Sequence, residues 1–86
     1  MDIPVYKTMD IKVIIPAYNE ADSIANVIKE IPKIVSEIIV VNNNSTDDTA
    51  LNARGAGATV LTENRMGYGY ACLMGINYIS KQSKTP

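Results

Sequence analysis

Histidine is absent from the 86-residue sequence, and cysteine occurs once, at Cys72. A single cysteine cannot form a disulfide within the chain. Without histidine, Cys–His and Ser–His–Asp catalysis and the usual zinc sites are excluded. Any catalysis must therefore use carboxylates, a bound metal ion or groups supplied from elsewhere. Cys72 lies in an apolar segment with helical spacing, so we expect it to be a buried small hydrophobic side chain.

The sequence also lacks long apolar runs and an excess of basic charge. No run approaches the roughly 20 residues of a transmembrane helix, and the first residues do not have the layout of a signal peptide. The net charge is −1 and the pI is near 5.2, which offers no basic face for nucleic acid. We therefore predict a cytoplasmic protein with no transmembrane segment and no nucleic-acid partner.

What is present suits one small globular domain, because the chain is 47% hydrophobic and 20% charged. Apolar, β-branched segments alternate with segments of helical character. The predicted order is β-α-β-α-β-α, with strands over 11–15, 37–42 and 58–62 and helices over 20–31, 47–54 and 68–81.

Local signals set these predicted boundaries. Pro16 should end the first strand, because proline donates no ladder hydrogen bond. Asn19 is the expected N-cap of the first helix. Ser45 and Asp48 have the spacing of a capping box before the second helix, and Gly55 or Gly57 is expected to supply its left-handed C-terminal cap.

Alternation at this spacing predicts an α/β fold, namely a three-layer, open, parallel sheet with strand order 3-2-1. The predicted domain covers residues 11–82, with a lead-in over 1–10 and a tail over 83–86. Ligands of such sheets bind outside the carboxyl ends of the strands. Two polar loops fall there: the first polar loop, Pro16–Glu20, and the second polar loop, Asn42–Thr46.

A third polar segment precedes the last predicted helix. Gly67 and Gly69 lack the full spacing of a dinucleotide fingerprint and follow the third strand, so they are a weak signal of that kind. They fit close backbone approach at a helix N-terminus, where a phosphate could rest. Arg65 is the cation beside them and our candidate for contacting a diphosphate.

Three ordered blocks carry a family resemblance: IIPAYNE over 14–20, IIVVNNNSTDDT over 38–49 and NRMGYGYA over 64–71. Together they resemble the opening of family 2 glycosyltransferases, especially the dolichyl-phosphate-mannose-synthase-like branch. The resemblance implies the Rossmann-like N-terminal half of a GT-A fold. It also implies binding of a nucleotide-diphospho-sugar and transfer of the sugar with a divalent metal, Mg or Mn.

The resemblance places the nucleoside pocket at the two polar loops. The nucleotide-binding residues expected on this basis and from the loop analysis are Pro16, Ala17, Tyr18, Glu20, Asn42, Asn43, Asn44, Arg65 and Gly67. Asn42 stands where the family carries a base-reading acid. An amide can accept from uracil N3–H and donate to O4, whereas guanine presents two donors that suit a carboxylate better. We therefore favour a UDP-sugar over a GDP-sugar.

The chain departs from the family in lacking the Asp-x-Asp metal motif and the acceptor part with its catalytic base. Asp47 and Asp48 do not replace that motif, because adjacent helical residues point about 100° apart; we expect them to act as cap and dipole complement. We thus assign no catalytic or metal-binding residue, expect no tightly bound metal, and expect no transfer by this chain alone. The alternative is a non-catalytic interaction module that forms homo-oligomers, since the first strand is expected to be an unpaired edge.

Overall fold

A computed structural model describes residues 10–82, and the lead-in and tail predicted at the termini lie almost entirely outside this range. Six elements follow one another in the predicted order. They are β1 (Ile11–Ala17), α1 (Ile24–Glu30), β2 (Val35–Asn42), α2 (Thr49–Gly55), β3 (Thr59–Thr62) and α3 (Tyr68–Gln82). None of the described helices is long and apolar enough to cross a membrane.

The three strands form one parallel sheet with β2 in the centre, in the order β1-β2-β3. This is the predicted 3-2-1 order read from the opposite edge. In register, Ala17 pairs with Asn42, and Asn42 pairs with Thr62. Since all three strands run the same way, their carboxyl ends meet at one edge of the sheet.

Alternation along β2 divides the core between the two faces of the sheet. Val40 packs with α1 and α2 in one buried cluster, whereas its neighbours Ile39 and Val41 pack with α3 in another. All three side chains are fully buried. The α/β fold with three layers is therefore confirmed, with α1 and α2 on one face and α3 on the other.

The prediction that Pro16 ends the first strand is wrong. Pro16 lies inside β1, where it pairs with Val41, and the strand continues to Ala17. Among the described residues β1 pairs only with β2. An edge strand uses only one of its sides for the ladder, which is why it tolerates a residue without an N–H.

The first helix is shorter than predicted and its N-cap is Ser23, not Asn19. The backbone N–H groups of Asn19 and Glu20 donate instead to Ser45 and Thr49, across 26 and 29 residues of sequence. These amides serve a tertiary contact rather than a first helical turn, and α1 therefore begins only at Ile24.

The predicted capping box of the second helix is also absent. Asp48 occupies the N-cap position but makes no side-chain cap hydrogen bond. The hydroxyl of Ser45 accepts from Asn19 N–H, and Asp47 accepts from Thr49 N–H at 3.0 Å. The prediction for the other end of the helix holds at Gly57, whose φ is +99°.

Two burial predictions need correction. Cys72 is half-buried rather than buried. The i, i+3, i+4 spacing of Ile24, Val27 and Ile28 predicts one apolar stripe along α1. Ile24 and Ile28 are buried, but Val27 is 44% exposed.

Candidate functional site

The two polar loops meet at the carboxyl edge of the sheet. Besides the Ala17–Asn42 register, the backbone N–H of Asn43 donates to Ala17 O at 2.8 Å. The same edge receives the start of the next segment, because Glu63 N–H donates to Asn42 O at 3.0 Å. Three loops that are distant in sequence thus converge, as expected for adjacent parallel strands.

Reciprocal hydrogen bonds fasten the first polar loop to the second. Asn19 N–H donates to Ser45 Oγ at 2.9 Å, and Thr46 N–H donates to Asn19 Oδ1 at 2.9 Å. Asn19 has a φ of +51°, a left-handed conformation that asparagine tolerates better than most residues. The role of Asn19 is therefore to join two loops rather than to cap a helix.

Asp47 strengthens the same junction. One carboxylate oxygen accepts from Ala21 N–H at 3.2 Å, and the other accepts from the N–H and the hydroxyl of Thr49. The hydrogen bond from the Thr49 hydroxyl is the main reason that the pKa of Asp47 is lowered. Both carboxylate oxygens of Asp47 accept hydrogen bonds within the protein, so this side chain links the start of α2 to Ala21, directly after the first polar loop.

Asn43 joins the second polar loop to the loop between β3 and α3. Its side chain is buried, with 1% of the residue exposed. Its Nδ2 group donates to Glu63 O at 3.0 Å and to Arg65 O at 2.7 Å. Its Oδ1 atom accepts from Gly67 N–H at 2.9 Å. All three side-chain hydrogen bonds of this amide group are directed at a single loop.

A cavity of about 200 Å³ opens beside this junction. Its lining is mostly apolar and aromatic, with Tyr18 and Tyr68 40% and 58% exposed. Gly67 lies at its mouth with a φ of +126°. The lining residues are Tyr18, Asn43, Met66, Gly67 and Tyr68.

The other two asparagines lie at the rim. Asn42 Oδ1 accepts from Ser45 N–H at 3.1 Å, which forms a local turn. Asn44 has a φ of +63°, and its Nδ2 group contacts Met66 Sδ at 3.6 Å. Neither Asn42 nor Asn44 is fully buried.

Arg65 lies between a carboxylate and an aromatic ring. Its Nη2 and Nε atoms donate to Glu63 Oε1 at 2.7 Å and Oε2 at 3.1 Å, and its guanidinium carbon is 4.3 Å from the centre of the Tyr70 ring. The Arg65 hydrogen bonds lower the pKa of Glu63 to about 2, and the carboxylate in turn raises the pKa of Arg65.

The structure brings most of the predicted site residues to one edge but gives them different surroundings. Tyr18, Asn43 and Gly67 line the cavity, whereas Ala17 is fully buried within β1. The carboxylate of Glu20 accepts from Ser23 Oγ at 3.0 Å. Met66 and Tyr68 were not among the predicted residues. The signal for them is their position on either side of a glycine that directly precedes a helix.

No group of three or more histidine, cysteine, aspartate or glutamate side chains that could hold a metal ion occurs within residues 10–82.

A parallel α/β sheet with an aromatic cavity at its carboxyl edge is typical of nucleotide-binding domains. The family model of glycosyl transferase family 2 matches residues 12–82. The chain belongs to this family, and the resemblance found in the three sequence blocks is confirmed.

The relatives of this chain are longer than the chain itself. An uncharacterized glycosyltransferase of Mycobacterium tuberculosis is 44% identical over 66 residues, which cover 77% of this chain and 30% of the relative. Protein RfbJ of Shigella flexneri is 46% identical over 66 residues, which cover 74% of this chain and 51% of RfbJ. The chain thus spans between about a third and a half of these relatives.

Solved structures agree with the fold. Glucosyl-3-phosphoglycerate synthase of M. tuberculosis superposes with a TM-score of 0.70 at 32% identity, covering 80% of this chain and 30% of the synthase. Its complex with Mn²⁺, uridine-diphosphate-glucose and glycerol 3-phosphate superposes with a TM-score of 0.73 at 28% identity, covering 90% and 35%. The fold is the Rossmann-like N-terminal half of a GT-A fold.

Proposed function

We propose that this chain is the donor-binding portion of a glycosyltransferase and binds the nucleotide of a nucleotide-diphospho-sugar. The observation that carries the proposal is the cavity between Tyr18 and Tyr68 at the carboxyl edge of the sheet. Aromatic side chains in a mostly apolar pocket suit a flat heterocycle. A glycosyltransferase that superposes on this chain is complexed with uridine-diphosphate-glucose, which supports a ligand of the same class.

Within this proposal, Asn42 favours uridine over guanosine. Its Oδ1 atom accepts one hydrogen bond from Ser45 N–H, but an amide oxygen has a second lone pair and the amide nitrogen has two hydrogens. Asn42 can therefore still accept from uracil N3–H and donate to O4. The two donors on the guanine edge would be matched less well.

Arg65 remains our candidate for the diphosphate. Its contacts with Glu63 use Nε and Nη2, whereas a guanidinium carries five N–H donors. The side chain of Arg65 is 63% exposed, so donors on its outer side face solvent. The full set of residues proposed to form the site is Pro16, Ala17, Tyr18, Glu20, Asn42, Asn43, Asn44, Arg65 and Gly67.

The proposal concerns binding and not transfer. We assign no catalytic and no metal-binding residue to this chain. Structures of the mycobacterial synthase contain Mn²⁺ or Mg²⁺ together with UDP. We therefore expect any effect of added Mg²⁺ or Mn²⁺ on binding to be mediated by the nucleotide diphosphate. A cytoplasmic location likewise stays a prediction, which cell fractionation would check.

The first test is calorimetric titration of the chain with UDP and GDP in the presence of Mg²⁺. We expect UDP to bind more tightly than GDP. We expect Asn42→Ala to weaken UDP binding about tenfold, the equivalent of one lost hydrogen bond with a polar base edge. Asn26→Ala, on the exposed surface of α1, serves as the control and should bind UDP like the parent protein.

Two results would contradict the proposal at different levels. Absence of binding by either nucleotide would remove the function itself. Tighter binding of GDP than of UDP would leave the function intact but overturn the preference for uridine.

A second candidate function is a non-catalytic oligomeric interaction module. It is favoured by exposed apolar side chains on α3 and on Met66, which lies two residues before the helix. Met66, Tyr68, Tyr70, Leu73 and Ile76 are each 44–58% exposed. Exposed apolar patches of this kind mark interaction surfaces more often than free surface. Met66 and Tyr68 also line the cavity, whereas Leu73 and Ile76 do not. Self-association through Leu73 and Ile76 would therefore be compatible with nucleotide binding.

A further inference from the structure

We propose that Asn43 is a positioning residue whose side-chain amide assembles the nucleotide pocket, and that only an amide can do this. The inference rests on the proposed function, because the pocket it concerns is the one assigned to the nucleotide. It assigns different roles to two of the three consecutive asparagines. Asn42 is assigned to the base, whereas Asn43 is assigned to the shape of the loop that carries the far wall of the cavity.

The side-chain hydrogen bonds of Asn43 are all made with one short segment of the chain. The amide meets Glu63 O, Arg65 O and Gly67 N–H at 2.7–3.0 Å. Gly67 and its two neighbours, Met66 and Tyr68, form most of the cavity lining. Residues 64–70 are all exposed, so little packing holds this loop. Its other side-chain contacts include those of Arg65 with Glu63 and Tyr70 and that of Met66 with Asn44. The amide therefore determines where Tyr68 stands relative to Tyr18.

The pattern of these hydrogen bonds requires both donors and an acceptor. Two of the three bonds are donated to backbone carbonyls, and one is accepted from a backbone N–H. A carboxylate can accept but cannot donate. In Asn43→Asp, a buried negative charge would face two carbonyl oxygens, whereas the bond from Gly67 N–H could persist. A protonated carboxyl regains one donor, so acid should partly restore the pocket.

The charged groups around Asn43 allow this pH dependence to be attributed to the carboxyl group introduced at position 43. The charged groups next to Asn43 are Glu63 and Arg65, which pair with each other. The pKa of Glu63 is lowered to about 2 and the pKa of Arg65 is raised. Both groups therefore keep their charge at mildly acidic pH. The remaining side chains of the cavity, Tyr18, Met66 and Tyr68, include no carboxylate and no imidazole. Uridine is the appropriate probe because it has no phosphate that titrates.

The experiment is a titration with uridine, followed by the backbone amide signals in NMR, from about pH 8 to about pH 5, a range in which a buried carboxyl with a raised pKa becomes protonated. We expect Asn43→Asp to bind uridine at least about tenfold more weakly than the parent protein at the upper pH. We expect this difference to narrow as the pH falls. Asn26→Asp introduces the same charge on the exposed surface of α1 and should match the parent protein at every pH.

A second measurement covers the case in which Asn43→Asp does not fold. In the parent protein, Gly67 N–H is bonded to Asn43 Oδ1, whereas Gly69 lies in the first turn of α3, whose amides lack intrahelical acceptors. Both are exposed glycines. We expect the Gly67 amide to exchange with solvent at least about tenfold more slowly than the Gly69 amide.

The outcomes separate the two proposals. Equal uridine affinity of Asn43→Asp and the parent protein at all pH values would overturn the positioning role. A loss that does not narrow with acid would overturn the requirement for donors. If the parent protein binds neither uridine nor UDP, the proposed function fails, and exchange at Gly67 still decides whether the amide holds this loop.

Discussion

At the residue scale, Gly75 shows how closely α3 approaches the sheet. A Cβ atom built on Gly75 would lie 2.7 Å from Cγ2 of Ile14 and 3.0 Å from its Cγ1 and Cδ1. The glycine is buried in the middle of α3, where helix propensity alone would favour alanine. Glycine at this position is therefore explained by packing against β1.

We accordingly expect Gly75→Ala to lower the free energy of unfolding by about 1–3 kcal/mol, the usual cost of overpacking a core. Urea denaturation measures the change. Gly69→Ala is the matched control on the same helix, because its Cβ would meet nothing within 4 Å. That variant should be neutral or slightly stabilising. Equal effects of the two substitutions would contradict the close approach at Ile14.

At the element scale, Glu37 on β2 links all three strands to α3. Its carboxylate accepts from Tyr78 Oη at 2.7 Å, from Thr59 Oγ1 at 2.8 Å and from Lys12 Nζ at 3.1 Å. The Tyr78 hydrogen bond is the largest of the causes that lower the pKa of Glu37 from 4.5 to about 2. The same bond raises the pKa of Tyr78.

The direction of this shift predicts how stability depends on pH. A lowered pKa in the folded state means that Glu37 stabilises the protein above about pH 4.5, and that this contribution is lost as the pH falls towards 2. Glu37→Gln should cost about 1–3 kcal/mol near neutral pH, as for hydrogen bonds to a charged group. In acid, the difference in the free energy of unfolding between Glu37→Gln and the parent protein should disappear.

Urea denaturation at several pH values, from near neutral down to about 2, measures this difference in the free energy of unfolding. Glu30→Gln removes the same charge from an exposed position on α1 and should leave the pH dependence unchanged. A Glu37→Gln protein whose deficit is constant across the range would show that the carboxylate is not the group that titrates.

At the scale of the whole molecule, two surfaces distinguish the described domain from a closed globule. β1 has no strand partner on its outer side within residues 10–82, and α3 presents an apolar face. Unpaired strand edges and apolar patches both favour association. These features support the proposal that the chain forms homo-oligomers.

The corresponding test uses two substitutions on α3. Leu73 and Ile76 are 55% and 53% exposed, so replacing both by lysine should leave the fold intact. We expect the parent protein to show concentration-dependent association in sedimentation velocity, and L73K/I76K to be shifted towards the monomer. Ser80→Lys together with Asn77→Lys adds the same charge at other exposed positions of α3. A parent protein that stays monomeric at high concentration would contradict the prediction.

The sequence by itself determined the fold class, the order of the elements and the edge of the sheet at which the two polar loops meet. These properties follow from local patterns, such as the apolar run that ends at Asn42 and the polar loop after Tyr18. Periodicity reports which side chains are buried, and parallel strands place their loops at a common edge. The prediction that Tyr18 is a site residue came in addition from the resemblance to family 2 glycosyltransferases.

Only the tertiary structure decided what each polar group does. Asn19 and Ser45 have the residue types and spacing of helix caps, yet each bonds to the other's loop across 26 residues. The three consecutive asparagines have the same side chain, but Asn43 is buried, whereas Asn42 and Asn44 are more exposed. Short polar side chains bond with whichever donor or acceptor lies near, and that neighbour is set by how strands pack rather than by sequence spacing.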